Sequence, residues 1–272
     1  LIGGLVTFNS NLPVGETISY SYLKDYIFLN GNMLGMATTS VFLLTIIPMV
    51  GIIYMGIRML SRVKPQGKGI GLILFGLFFV GVILATITGI SQGTKYAADA
   101  DVQDIYELEQ DSGLIHVEIM NDPYFTNRVE LRETSNPELM TKDGDRIIYG
   151  FPRLYIEPTN QETAQLKVLK RAHGGNYSEA LEIAEDITFE FIYKHDTLRV
   201  APYFTGADKY KYRDHELKAV LYIPDSTRIK IAPDIARVVS YSTRYNGLSI
   251  LDMAGHEVIV AEDKINCLDC DI

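Results

Sequence analysis

Tryptophan is absent from this 272-residue chain, and cysteine is limited to Cys267 and Cys270. Two cysteines cannot staple a small secreted scaffold, so the fold must rest on apolar burial, to which 17 tyrosines and 11 phenylalanines contribute. A basic surplus is also missing. The net charge of −9 excludes the usual nucleic-acid binder and weighs against docking on anionic lipid. The scarcity that matters most is regional: the first ninety or so residues carry almost no charge, and most acidic and basic side chains follow Lys95. No basic n-region or small-residue cleavage site marks a signal peptide. "LIGGLVTF" (Leu1–Phe8) reads as the end of a hydrophobic segment whose start precedes Leu1, and such a segment would add a third helix.

Long apolar runs are what the first part has instead. "MATTSVFLLTIIPMVGIIYMGIRML" (Met36–Leu60) carries one charge, Arg58, and "GIGLILFGLFFVGVILATITGISQ" (Gly69–Gln92) carries none. Each meets the ~20 apolar residues that cross a ~30 Å hydrocarbon core, so the pair predicts a transmembrane helical hairpin over 36–92. Pro48 lies inside the first run and is expected to kink it; membrane helices tolerate this where neighbours re-satisfy the freed carbonyl. Gly51, Gly56, Gly71, Gly76 and Gly81 offer places for close helix contact, although their spacing is not GxxxG. Neither run holds a buried ionisable residue, which weighs against an ion pathway.

The direction of the hairpin follows from its charges. The tip "RVKPQGK" holds Arg62, Lys64 and Lys68, with Arg58 just before it, whereas Lys95 stands alone among acids on the opposite flank. The positive-inside rule puts the tip in the cytoplasm and both outer ends outside, so these four cations are the topology-determining residues. Residues 1–35 would then end a possible membrane helix and form an external loop. Within that loop, Glu16–Leu29 has the tyrosines of an interfacial helix, or is an ordinary ordered loop. The glycines of "GKGIG" (Gly67–Gly71) follow no strand, so a phosphate loop is rejected.

Beyond the spans, residues 93–113 read as an acidic connector, and 114–272 as a mostly-β extramembrane domain. Period-two alternation predicts strands at Leu114–Ile119, Arg128–Glu133, Arg153–Glu157, Ala164–Arg171, Thr188–Tyr193, Thr197–Ala201, Leu217–Ile223 and Arg228–Ala232. Turns are expected at Lys142–Asp145, Pro224-Asp225 and Asn246-Gly247. One helix breaks the pattern at Asn176–Ile187, with Ala180, Ile183, Ala184 and Ile187 on one face and Asn176/Glu179 as a capping box. The last forty residues, with "ARVVSY", "LSILDM" and "HEVIVAE", suit the end of a β-solenoid or a sandwich.

The span from "IPMVGIIYMGIRMLSRVKPQGKGIGLILFGLFFVGVILATITGI" through "NYSEALEIAEDITFEFIYKHDTLRVAPYF" and "LKAVLYIPDSTRIKI" to "INCLDC" resembles PspC-domain (phage-shock-protein-C-like) inner-membrane proteins of Bacteroidetes-type bacteria. Asp225-Ser226 stands where the family has a glycine-type turn, and the PspC domain proper is not recognisable here. The resemblance implies an envelope-stress sensor or scaffold with a periplasmic β domain.

A search for chemistry returns little. His116, His173, His195, His215 and His256 show no metal-ligand spacing, and no GxSxG elbow accompanies the His173-Gly-Gly turn. "RDHE" (Arg213–Glu216) groups acid–base residues, but on an alternating strand they point to opposite faces, and a solvated edge is the expected setting. The preceding "DKYKY" offers Tyr210 and Tyr212, with Arg213, as a protein-contact edge rather than a single-strand nucleic-acid platform. Cys267-Leu-Asp-Cys270 has redox spacing without the βαβ setting of a thioredoxin motif, leaving a local disulfide or a reduced pair in the core. No catalytic residue, cofactor or metal is expected. The expected partners are the lipid bilayer, other membrane or periplasmic proteins and further copies of this chain. The rival readings are an accessory subunit of a larger secretion or transport complex, and an envelope redox or hydrolytic enzyme.

Overall fold

A computed structural model describes residues 31–60, 69–122, 138–142, 145–206, 213–237, 252–261 and 264–270. The chain divides into two units, Leu1–Tyr96 and Ala97–Ile272.

In the first unit, α1 (Gly31–Leu60, 30 residues) and α2 (Gly69–Gly93, 25 residues) form from the two apolar runs. At 1.5 Å per residue these are about 45 and 38 Å long, enough to cross a bilayer. They pack antiparallel: Met33 Sδ meets Ser91 at 3.6 Å at one end, and Leu43 meets Gly81 further along. A Cβ on Gly81 would stand 2.9 Å from Leu43 Cβ, so glycine is what lets the rods approach there; Gly51, Gly56, Gly71 and Gly76 face no neighbour among the described residues. The α1 helix runs without interruption through Pro48. Hydroxyls that would be costly in lipid turn back onto their own helix. Thr39, Thr45, Thr86 and Thr88 each donate to the carbonyl four residues earlier at 2.7–2.9 Å.

The second unit contains β1 (Ala98–Leu108), β2 (Leu114–Ile119), β3 (Glu138–Lys142), β4 (Asp145–Gly150), β5 (Arg153–Thr159) and β6 (Ala164–Gly174). After β6 comes α3 (Tyr177–Glu185), then β7 (Thr188–Lys194), β8 (Thr197–Gly206), β9 (Glu216–Pro224), β10 (Arg228–Ile231), β11 (Glu257–Ala261) and β12 (Lys264–Cys267). One sheet has the order β1-β6-β9-β5; the other runs β12-β11-β10-β2-β8-β4-β3, with β7 also on β8. Several neighbours, such as β1 with β6 and β2 with β8, come from distant parts of the chain, and a single apolar core draws on both sheets, including Ile156, Leu166 and Leu221 from one and Ile115, Leu198 and Val258 from the other. This is sandwich-like packing rather than a regular solenoid coil.

Strands β2 and β5 to β10 agree with the alternating runs, β1, β3, β4 and β12 were not among them, and Arg128–Glu133 and Asn246-Gly247 lie outside the described residues. Of the three closing segments, "HEVIVAE" supplies β11, whereas most of "ARVVSY" and "LSILDM" lies outside the described residues; the described ends nearby are a 3-10 turn at Pro233–Arg237 and a turn at Asp252–Met253. Asn176 caps α3 by accepting the Glu179 N–H at 2.9 Å, and Glu179 accepts the Gly175 N–H at 2.8 Å. The helix packs on β1 and β6 through Ala180, Ile183 and Ala184. Pro202 cannot donate to a ladder; it falls where β8 slips against β7, between the Phe189 and Phe191 pairs. Ser226 adopts φ 65 in the turn after β9, the left-handed region that glycine occupies at least cost.

Two expectations need correction. The acidic stretch is not a connector: Ala98–Leu108 is an edge strand paired with β6 along its whole length. Its acids meet cations contributed by β6, with Arg171 reaching Asp101 at 2.7 Å and Asp99 at 3.4 Å, and Lys170 reaching Asp104 at 2.9 Å. The β domain therefore begins at β1, not at residue 114. The second correction concerns Arg213, which is only 1 % exposed and belongs to no solvated edge. The alternation itself is present, but Arg213 and His215 lie on the inward face, followed by Leu217 and Ala219 in a strand flanked by β6 and β5.

Candidate functional site

Of the four cations expected to set topology, Arg58 occupies the last turn of α1; Arg62, Lys64 and Lys68 lie outside the described residues. Arg58 and Tyr54 line an open groove of about 420 Å³ between the two helices, with Pro48 and Gly51 beside them and Gly71 and Phe75 opposite. Glycines at 51 and 71 leave this space unfilled.

Tyr210 and Tyr212 likewise fall outside the described residues, and Arg213 is interior. The Arg213 carbonyl accepts the His173 N–H at 2.9 Å, which ties the start of β9 to the end of β6. His215 is 2 % exposed and faces Gly206, where a Cβ would meet the imidazole at 3.2 Å. Burial, reinforced by the nearby Arg213 charge, pushes its pKa down to about 4. A neutral imidazole packed against β8 is a structural element, and "RDHE" therefore does not form an open acid–base site.

The β7–β8 turn holds a more ordered polar cluster. His195 and Asp196 both adopt positive φ, 49 and 54, which suits a two-residue hairpin turn whose twist matches the strands. The buried Asp196 carboxylate accepts the Asp111 and Ser112 N–H groups at 3.0 Å each and the Tyr193 hydroxyl at 3.3 Å. Its backbone carbonyl accepts the His116 N–H at 2.8 Å. The Ser112 side chain and the Asp111 N–H, followed by the Ser112 N–H, hold its carboxyl below the usual range. Burial, reinforced by the Asp196 charge, pushes the Tyr193 phenol up to about 12. This turn pins the β1–β2 loop.

A third cluster lies at the C-terminal hairpin. Cys267 and Cys270 are joined in a disulfide with their Cα atoms 5.6 Å apart. Both are half-buried, so the pair borders the core rather than sitting inside it. Antiparallel pairing of β11 with β12 sets Val258 opposite Cys267 and brings His256 beside the two sulfurs. Spacing alone did not suggest this grouping. The signal lay in "HEVIVAEDKINCLDC", where a hairpin between the histidine and the CxxC folds them together.

Two long apolar helices followed by an open two-sheet β unit with one helix define a membrane protein carrying a β-rich extramembrane domain. Comparison with protein families gives this class its name. Residues 1–96 match the PspC transmembrane region, and residues 141–272 match the toast-rack domain found in some PspC proteins. The chain is a PspC-type membrane protein. Comparison with curated proteins and with solved structures gave no match. The toast-rack match begins within β3, yet β1 and β2 already belong to the same two sheets.

Proposed function

We propose that this chain is a non-enzymatic scaffold or sensor of the envelope stress response, acting through protein contacts of its β domain. The reading is carried by one observation: a PspC membrane region and a toast-rack domain occur on one chain. A PspC membrane protein with this domain fits a stress-response scaffold. The polar clusters around Asp196 and His215 support the same reading, because their hydrogen bonds and burial serve the fold rather than an open reaction centre.

The proposed setting is the bacterial inner membrane, with α1 and α2 both spanning it. Arg58, Arg62, Lys64 and Lys68 face the cytoplasm, and the β domain faces the periplasm. Helix glycines that meet no neighbour among the described residues, and the open groove between the helices, suit assembly with further copies or with another membrane protein. Labelling of Lys68→Cys with a membrane-impermeant maleimide tests the orientation: protection in intact spheroplasts supports it, and labelling from the periplasmic side inverts it.

Affinity purification in mild detergent followed by mass spectrometry tests the function. A scaffold or sensor changes its partners or oligomer size after the membrane potential is dissipated. A fixed, stoichiometric complex in unstressed cells, unchanged by that treatment, would instead make the chain an accessory subunit of a transport or secretion machine.

A further inference from the structure

The C-terminal hairpin carries chemistry that a scaffold does not require. His256 immediately precedes β11, and the CxxC begins on the last residue of β12. One ligand atom from each of His256, Cys267 and Cys270 can be chosen so that all three lie within 4.8 Å of one another. Asp269 lies in the same turn, its Oδ1 3.4 Å from His256 Nδ1 and 3.9 Å from Cys267 Sγ. The turn also has bonds that do not involve its sulfurs. The Glu257 N–H donates to Asp269 Oδ1 at 2.8 Å, and the Leu268 N–H donates to the Glu257 carbonyl at 2.9 Å. One bond to the Asp269 carboxylate and one between backbones thus draw the turn onto the start of β11 without using the sulfurs.

Zinc binds thiolate sulfur at ~2.3 Å and imidazole nitrogen at ~2.0 Å, so tetrahedral coordination places two sulfurs roughly 3.8 Å apart. Disulfide sulfurs stand ~2 Å apart, and side-chain rotation at two half-buried cysteines can supply the difference. Two thiolates and a neutral imidazole also balance a divalent charge. Asp269 or solvent completes the fourth position.

We propose that the dithiol form of this hairpin is a binding site for a borderline-soft divalent cation such as Zn²⁺, held by Cys267, Cys270 and His256. Disulfide and metal are alternative occupants of the same turn. A dithiol donor transfers two electrons and two protons, breaking the S–S bond to give two thiols while it becomes a disulfide itself. Metal binding then releases those two protons as the sulfurs coordinate as thiolates. A disulfide donor reverses the sequence and expels the metal. The site is independent of the scaffold reading, and either can fail without the other.

Co²⁺ titration of the full chain in detergent tests this, after reduction with a phosphine and its removal under nitrogen. The reduced protein is expected to take up one Co²⁺, with thiolate-to-cobalt charge-transfer absorption and the intense visible bands of a tetrahedral ion. One equivalent of Zn²⁺ should bleach both, and the oxidised protein should show neither. Cys270→Ser should lose most of the charge-transfer intensity, and His256→Ala should weaken binding by roughly tenfold or more, by analogy with losses seen for lesser changes around metal ligands. Circular dichroism checks that each variant is folded. The comparison of reduced with oxidised wild type needs no variant. Absence of the charge-transfer band in the reduced protein, or equal affinity of folded His256→Ala and wild type, overturns the proposal.

Discussion

Replacing Asp196 tests whether the β7–β8 turn is the pin that holds the β1–β2 loop. Its carboxylate accepts hydrogen bonds from two backbone N–H groups at 3.0 Å and from Tyr193 at 3.3 Å. Hydrogen bonds to a charged group contribute roughly 1.5–3 kcal/mol each, but Asp111 and Ser112 are exposed and water can replace the lost acceptor. The net loss therefore sits near the low end for the set. Alanine also meets φ 54 without the local side-chain bonding that helps Asp and Asn tolerate it, at a cost of about 1 kcal/mol. Asp196→Ala should lose about 2–3 kcal/mol of stability in all. Asp196→Asn keeps the backbone tolerance but turns an NH₂ group toward one of the two N–H donors, and should lose about 1–2 kcal/mol. The pH dependence has a definite sign. The folded carboxyl titrates below its unfolded value, so its stabilisation is full above about pH 4 and disappears as the pH falls through the folded pKa. Urea unfolding of the full chain in detergent, followed by far-ultraviolet circular dichroism, measures both effects. An Asp196→Ala protein within about 0.5 kcal/mol of wild type at pH 7, or a difference that persists undiminished into strong acid, would refute the pin.

His215 supplies a second pH test. Its folded pKa near 4 lies below the ordinary value of 6.5, so stability is unaffected above pH 6.5 and is lost as the pH falls toward 4. The loss approaches about 3 kcal/mol, and a His215→Gln variant should lack this component in the same unfolding titration. Gly174→Ala should destabilise by about 2 kcal/mol or more, because the new Cβ would stand 2.5 Å from Ala180 N and push α3 off the sheet; thermal melts should show it. Gly81→Leu should separate α1 from α2 at Leu43, and disulfide cross-linking between cysteine pairs placed across the two helices should fall in efficiency.

Local pattern carried much of this fold. Ile115 and Val117 point inward from β2 as their alternation requires, and the Asn176/Glu179 pair marks the start of α3 to the residue. What alternation cannot convey is the partner. The acids of β1 read as an acidic connector because their cations, Lys170 and Arg171, lie in a strand that begins more than fifty positions later. Arg213 and His215 read as part of a solvated edge for a related reason: period two says that neighbours diverge, not which side is core. His256 stands apart from the cysteines in sequence and joins them only through the β11–β12 register.

The position of β2 has a consequence for how the chain is made. Its two neighbours are Thr197–Val200 and Arg228–Ile231, both parallel to it and both synthesised long after it. Ile115 and Val117, fully enclosed in the finished domain, must wait unpaired while some eighty residues follow before the first neighbour exists. Folding therefore cannot keep pace with emergence of the chain, and the second sheet closes late. A growing polypeptide released before Ile231 would expose an open edge at β2, the kind of surface that attracts holding chaperones or proteases.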